Sequence, residues 1–178
     1  MKINNHLLKV YAFIDNFNFL IEKKIKKIKN IRIIYENINI PNENFFRVLK
    51  FCKKNKIKLY ISNYNHKFSN IKIDGIHIPS SNKKRILNLK KGLDIIGTAH
   101  NQLEFYFKKK QGCSKIFLSP LFKTKKYSDN KILSTNKFRL ISREWLITKL
   151  ALAGIKKKNF NKLKDLEIQG VGTASYFK

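Results

Sequence analysis

Eight short runs of apolar residues punctuate this chain, at 11–15, 31–35, 59–63, 73–78, 93–100, 116–120, 150–155 and 168–175. Each is strand length. In several of them apolar side chains occupy successive positions instead of alternating, the pattern of strands buried on both faces of a parallel sheet. Between them lie stretches with helical spacing. Phe17, Leu20, Ile21, Ile25 and Ile28 mark an amphipathic helix over 17–28. Further helices are predicted over 44–54, 82–91 (basic, stopped by Gly92), 102–110 (closed by Gly112), 135–145 and 159–166, with a polar loop over 123–131. Eight alternating units predict a compact (β/α)8 TIM-type barrel of parallel strands with short or missing outer helices. The competing arrangement is an open doubly wound sheet with fewer strands. With 178 residues the chain is below the usual ~200 of such barrels, so some helices must shrink to single turns. No Pro/Ser/Gly-rich linker interrupts it, and one domain over 1–178 is expected.

Composition refines this picture. A hydrophobic content of 43% with 12% aromatics is that of a folded domain. No apolar stretch reaches the roughly 18–20 residues of a membrane span, and the N-terminal residues show no secretory apolar region. Cys52 and Cys113 lie far apart without metal-ligand spacing, so a reduced, cytoplasmic protein with structural thiols is expected. The net charge of +28 invites a nucleic-acid reading. Yet only five of the 39 basic residues are Arg (Arg32, Arg47, Arg85, Arg139, Arg143), and the lysines are scattered over every helical segment. Lys, Asn and Ile are inflated together, as an A+T-rich coding sequence produces. The charge therefore points to anionic small molecules more than to nucleic acid.

The chemistry should sit just past the strands' carboxyl ends, where four runs of the second half close in glycine or hydroxyl corners. Gly170-Val-Gly-Thr-Ala-Ser175 reads as a turn opening a last short helix, its glycines letting backbone approach an anion and Thr173 and Ser175 adding hydroxyls. Gly154, at the end of the seventh run, would lie beside it; loops after strands seven and eight commonly hold phosphate in barrels. Thr98 and His100 end the fifth run, where an imidazole could work as a base or simply be satisfied at a strand end. His77, at an apolar strand position, reads as interior packing, and His6 and His66 as solvated. Asp15 and Glu36 end the first two runs. Asn63 and Asn82 fall near the mouths of the third and fourth, where Mg²⁺ would want carboxylates. No clustered metal ligands stand out in the sequence, and no resident metal is expected.

Taken together these segments resemble the thiamin phosphate synthase/TenI family. Asp74-Gly-Ile-His-Ile78 is similar to the family's Asp-Gly-Val-His-Leu, Ile96-Gly-Thr-Ala-His100 to Gly-Val-Ser-Ala-His, and Phe117-Leu-Ser-Pro-Leu-Phe-Lys-Thr124 to Gly-Leu-Gly-Pro-Ile-Phe-Pro-Thr. Leu152-Ala-Gly-Ile155 and Gly170-Val-Gly-Thr-Ala-Ser175 resemble its two closing motifs, and the order runs through nearly the whole chain. The resemblance implies a (β/α)8 barrel. It also implies a synthase that joins a pyrimidine diphosphate to thiazole phosphate with Mg²⁺, or a TenI-like tautomerase that shifts a proton without metal. A non-catalytic module binding a phosphate ligand is the third possibility. The implied partner is a phosphorylated thiazole-type molecule, held at Gly154, Gly172, Thr173 and Thr124, with Thr98 and His100 as catalytic candidates. The family's Gln-Leu-Arg-Glu-Lys becomes Ile33-Ile-Tyr-Glu-Asn37, so Tyr35 and Asn37 replace cations, while Asn63 and Asn82 replace metal-binding Asp. The resemblance thus implies a degenerate diphosphate and Mg²⁺ site.

Overall fold

The computed structural model describes residues 8–36, 41–84, 89, 91–124, 131–174 and 176. Asn37, His6, Ser175, most of the predicted 123–131 loop and the middle of the predicted 82–91 helix lie outside them. Eight strands close a barrel in sequence order. They are β1 (Lys9–Ile14), β2 (Ile31–Tyr35), β3 (Lys58–Ser62), β4 (Gly75–Ile78), β5 (Asp94–Ala99), β6 (Lys115–Leu118), β7 (Thr148–Leu152) and β8 (Gly170–Thr173). All neighbours are parallel, and β1 closes the ring by pairing with both β2 and β8. Among the described residues the outer layer has four α-helices: α1 (Phe19–Lys26), α2 (Glu43–Asn55), α3 (Gln102–Lys110) and α4 (Ser134–Ser142). The shortness of the chain is met where expected. His66–Phe68 after β3 and Lys157–Leu163 after β7 are 3₁₀ segments. None of these helices is long and apolar enough to cross a membrane.

Asparagine does much of the local work. Asn18, Asn42 and Asn101 cap α1, α2 and α3, and Asn65 caps the first 3₁₀ turn, each accepting a bond from a backbone N–H that the helix start leaves unpaired. The amphipathic faces then pack on the barrel: Ile21 and Ile25 from α1, and Phe45, Val48 and Phe51 from α2, meet the outward Ile33, Tyr35, Leu59 and Ile61. On the other side Phe105, Phe138 and Trp145 cover Ile76, Ile116, Leu118 and Ala151. Cys52 and Cys113 are buried free thiols in these layers, each pushed up to about 12 chiefly by burial.

The barrel interior is a separate core of Tyr11, Phe13, Ile34, Tyr60, Ile96, Phe117 and Leu150. Tyr11 meets Phe117 edge-on at 5.2 Å and Phe13 meets it at 5.4 Å. These rings fit because glycines face them. A Cβ on Gly75 would overlap the Asp94 carbonyl oxygen and lie 2.7 Å from the Tyr60 ring; one on Gly170 would lie 3.1 Å from Tyr11, and one on Gly172 2.9 Å from Phe13. Gly170–Thr173 is therefore the last strand itself, not a turn opening a helix, and its glycines make room for aromatic rings. The predicted helix over 82–91 also needs correction: its described residues are irregular, with the Asn82 side chain accepting from the Lys84 amide in a local turn.

Gly75→Ala should lower the unfolding free energy by about 3 kcal/mol, because both the ladder carbonyl and the Tyr60 ring would have to move. Gly92→Ala, at φ 86° with nothing within 4 Å, should cost only about 1 kcal/mol from backbone strain. Urea unfolding of both variants compares them; equal losses would refute interior crowding as the reason for Gly75.

Candidate active site

At the carboxyl end of the barrel the aromatic layer gives way to a buried polar line. Ser62 of β3 and His77 of β4 are register partners, and Thr98 of β5 lies two residues beyond Ile96, the partner of His77, on the same face. Ser62 Oγ lies 2.9 Å from His77 Nδ1, and His77 Nε2 lies 2.8 Å from Thr98 Oγ1. Phe13 packs edge-on against the imidazole at 5.2 Å. The ring is fully enclosed, and burial, assisted by the Lys108 charge, pushes its pKa down to about 3. His77 is thus neutral, an interior histidine as its strand position implied, and its two ring nitrogens fix the hydroxyls on either side.

His100 stands just past the end of β5, half-buried between two loops. Its Nδ1 is 2.6 Å from the Ser119 carbonyl after β6, and its Nε2 is 3.0 Å from Ser80 Oγ after β4. A carbonyl only accepts, so Nδ1 is the donor to Ser119 and Nε2 is the nitrogen that meets the Ser80 hydroxyl. The backbone is fixed as well: the His100 amide donates to Glu104 Oε2, and Asn101 caps α3 directly after it. The Ser80 loop is tied down from outside. Lys108 of α3 is buried and donates to the Pro79 and Asn82 carbonyls at 2.7 and 2.6 Å and to Gln111 Oε1 at 3.0 Å. Burial lowers its pKa, partly offset by Cys113 and Glu104.

Across the mouth, β7 and β8 end side by side, with Leu152 opposite Gly172. Ala153 and Gly154 both have φ of 74°, a left-handed pair that costs Ala153 strain. Gly154 is required by folding alone, since a Cβ there would overlap the Phe122 carbonyl, and its own carbonyl accepts from Asn159 Nδ2 at 2.8 Å. Thr173 closes β8, and strand alternation puts its side chain on the face opposite Gly172. Thr124 is half-buried after β6.

Comparison with known proteins bears on this arrangement. The family model described as thiamine monophosphate synthase (TMP-TENI) matches residues 42–177. The chain belongs to the thiamine monophosphate synthase/TenI family. It is 26% identical over 179 residues to a thiamine-phosphate synthase of Prochlorococcus marinus subsp. pastoris, covering 96% of this chain and 50% of the relative. Over 104 residues it is 31% identical to the thiamine-phosphate synthase of another Prochlorococcus marinus strain, covering 55% of this chain and 29% of that one. The chain thus spans half or less of the curated relatives it matches. Among solved structures, the thiamine phosphate pyrophosphorylase from Pyrococcus furiosus superposes with a TM-score of 0.71 at 15% identity, over 98% of this chain and 88% of that one. A citrate synthase superposes with 0.67 at 11% identity, over 96% and 88%. These structural likenesses show the fold.

The residues that the resemblance assigns to diphosphate and Mg²⁺ lie in three separate places. Tyr35 is fully buried on the outer side of β2, its hydroxyl donating to Asn44 Oδ1 at 3.0 Å, so it does not face the mouth. Asn63 is exposed after β3 with φ 54°. Asn82 Oδ1 is engaged with the Lys84 amide at 2.9 Å. Two neutral amides, one already spoken for, do not suit a hard divalent cation. Sequence reasoning places Ser62 and Ser119 at strand ends without making them site residues, and it misses Ser80 and Lys108. Ser80 had a usable signal, a Pro-Ser-Ser-Asn corner directly after β4; Lys108 had none, since lysine is ordinarily solvated. A surface groove of about 350 Å³ lined by Phe19, Arg47, Lys50 and Phe51 lies between α1 and α2, away from the mouth.

His77 should leave a signature in acid. Above about pH 6.5 it is neutral folded and unfolded; below that the unfolded chain takes up a proton that the native protein refuses until about pH 3. Stability is therefore lost as pH falls through this window, by about 2 kcal/mol between pH 7 and 5. Urea unfolding of wild type and His77→Gln at both pH values isolates that loss, since the other histidines contribute equally to both. Identical pH dependence would overturn the buried neutral state.

Proposed function

We propose that this barrel, as one domain over 1–178, works in thiamine biosynthesis by binding a phosphorylated thiazole across its carboxyl mouth, and that it shifts a proton on the bound ring as a tautomerase. The observation that carries this reading is the His100 imidazole, whose Nδ1 is committed to the Ser119 carbonyl so that Nε2 faces the Ser80 side of the rim as a base. In the proposed reaction Nε2 removes a proton from the thiazole and returns it to another atom of the same ring system. No atom is gained or lost and no redox partner is needed. Thr98, fixed by His77, is the proposed neighbouring hydroxyl that orients the ligand. The phosphate is proposed to rest at the left-handed end of β7 and beside β8, at Gly154, Gly172 and Thr173, with Thr124 from the β6 loop. Backbone amides at such corners bind anions without side-chain cations.

The coupling reaction named for the relatives requires stabilisation of a leaving diphosphate, for which Mg²⁺ and fixed cations are the usual means. Asn63 and Asn82 supply amides where carboxylates are wanted, and Tyr35 points away. This disfavours the transferase reading for the residues described and favours the proton shift.

His100→Ala should lower kcat for tautomerisation of the thiazole carboxylate phosphate about 100-fold or more, with KM changed less than about threefold. A ligand lacking the phosphate should bind at least about tenfold more weakly. Unchanged kcat in the variant would remove His100 from the chemistry. Turnover of pyrimidine diphosphate with thiazole phosphate, abolished by EDTA, would instead establish the coupling reaction.

A further inference from the structure

The amino end of the barrel, opposite the mouth just described, gathers charges that the proposed reaction does not use. Lys9, Arg32, Lys58 and Lys115 stand there at the starts of β1, β2, β3 and β6 around the Asp94 carboxylate. That carboxylate is fully engaged: Lys115 Nζ lies 2.5 and 2.6 Å from its two oxygens, Ser114 donates to one and Tyr60 to the other. Burial alone would raise the Asp94 pKa, but these bonds hold it below the ordinary carboxylate range. Asp94 therefore neutralises Lys115 and leaves Lys9, Arg32 and Lys58 without an ion-pair partner among the described residues. Their mutual repulsion is felt: the Lys9 amine is lowered by burial first, then by Arg32, Lys115 and Lys58.

A second, independent observation lies directly above them. Tyr11 is 0% exposed, and its hydroxyl is a buried polar atom with no hydrogen-bond partner among the described residues. The ring lies against Gly170, the register partner of Lys9, and its hydroxyl feels the charges of Arg32 and Asp94 at that end. The Arg32 guanidinium stands 5.5 Å from the ring centre. Burial pushes the Tyr11 pKa up to about 12, so the group is a donor awaiting an acceptor. A buried donor left unpaired costs about 1–3 kcal/mol. A water molecule would satisfy the hydroxyl and leave the three cations uncompensated. A compact anion satisfies both.

We propose that the amino end of the barrel binds a tetrahedral oxyanion, held by the Arg32 guanidinium and the Lys9 and Lys58 ammonium groups, with the Tyr11 hydroxyl as its innermost donor. Inorganic phosphate, sulfate and the terminal group of a small phosphate ester share this chemistry. The site is separate from the phosphate position proposed between β7 and β8, and neither depends on the other.

Titration of the ¹⁵N-labelled protein with inorganic phosphate, sulfate or pyrophosphate, at ionic strength held constant with chloride, tests the site. The expected result is saturable amide shifts at Lys9, Arg32 and Lys58 with Kd of about 1 mM or tighter. Phosphate and sulfate should act alike if a free oxyanion is the ligand, and pyrophosphate should bind more tightly if an ester-borne group is. Arg32→Gln should weaken binding about tenfold or more, and Tyr11→Phe should weaken it measurably. Lys58→Gln, at an exposed position, provides a variant whose fold is not at risk and should also weaken it. Shifts at Gly154 and Gly172 report on the opposite end separately. Non-saturating shifts, or affinity unchanged in both Arg32→Gln and Lys58→Gln, would overturn the proposal.

Discussion

Everything in this fold depends on filling the inside of a closed barrel with rings. Eight parallel strands enclose a cylinder that side chains must occupy to near-crystalline density. This chain does so with Tyr11, Phe13, Tyr60 and Phe117, large side chains that need empty space opposite them. Gly75 and Gly172 supply it, facing the Tyr60 and Phe13 rings where a Cβ would lie only 2.7 and 2.9 Å away, and Gly170 faces Tyr11 while its own Cβ would meet the Lys9 carbonyl at 2.6 Å. The same solution limits polar chemistry to the two ends. Above the rings lies the Ser62–His77–Thr98 line; below them lie the charges around Asp94.

The upper end is built from neutral donors and acceptors. His77 is enclosed too completely to be charged, so its ring serves as a rigid spacer between two hydroxyls. His100, half out of the core, is oriented by the Ser119 carbonyl on one nitrogen and the Ser80 hydroxyl on the other. Lys108 contributes from behind. Its ammonium sits among carbonyl oxygens and so fixes the loop that carries Ser80, while its charge depresses the His77 pKa. A buried cation with no carboxylate partner is costly, and three strong acceptors are what make it tenable.

The strands were legible because doubly buried strands read as continuous apolar runs, and the register of eight such runs left little room for another fold. That same continuity hid which way each residue points. Ile33, Ile34 and Tyr35 are all apolar, so nothing in the local pattern reveals that Tyr35 faces the helices and Ile34 the interior. Gly170 and Gly172 were misread for a related reason. A Gly-x-Gly segment looks like a turn when its neighbours in sequence are considered, whereas the groups that crowd it here, Lys9 and Tyr11 at Gly170 and Leu152 and Phe13 at Gly172, come from the two flanking strands. Thr98 and His100 could be placed at a strand end from the sequence. Their partners Ser62, Ser80 and Ser119 come from other strands, and only the barrel's closure brings them together.

The contrast between the two ends constrains how any ligand is held. Among the described residues, the groups fixed around His100 and His77 are hydroxyls, carbonyls and imidazoles, so a phosphate at the mouth depends on backbone amides at the strand ends. Backbone amides bind an anion without a side-chain cation. Fixed cations would instead favour a diphosphate. The groups described at the two ends thus differ in kind: hydroxyls, carbonyls and imidazoles around His77 and His100, ammonium and guanidinium groups around Asp94.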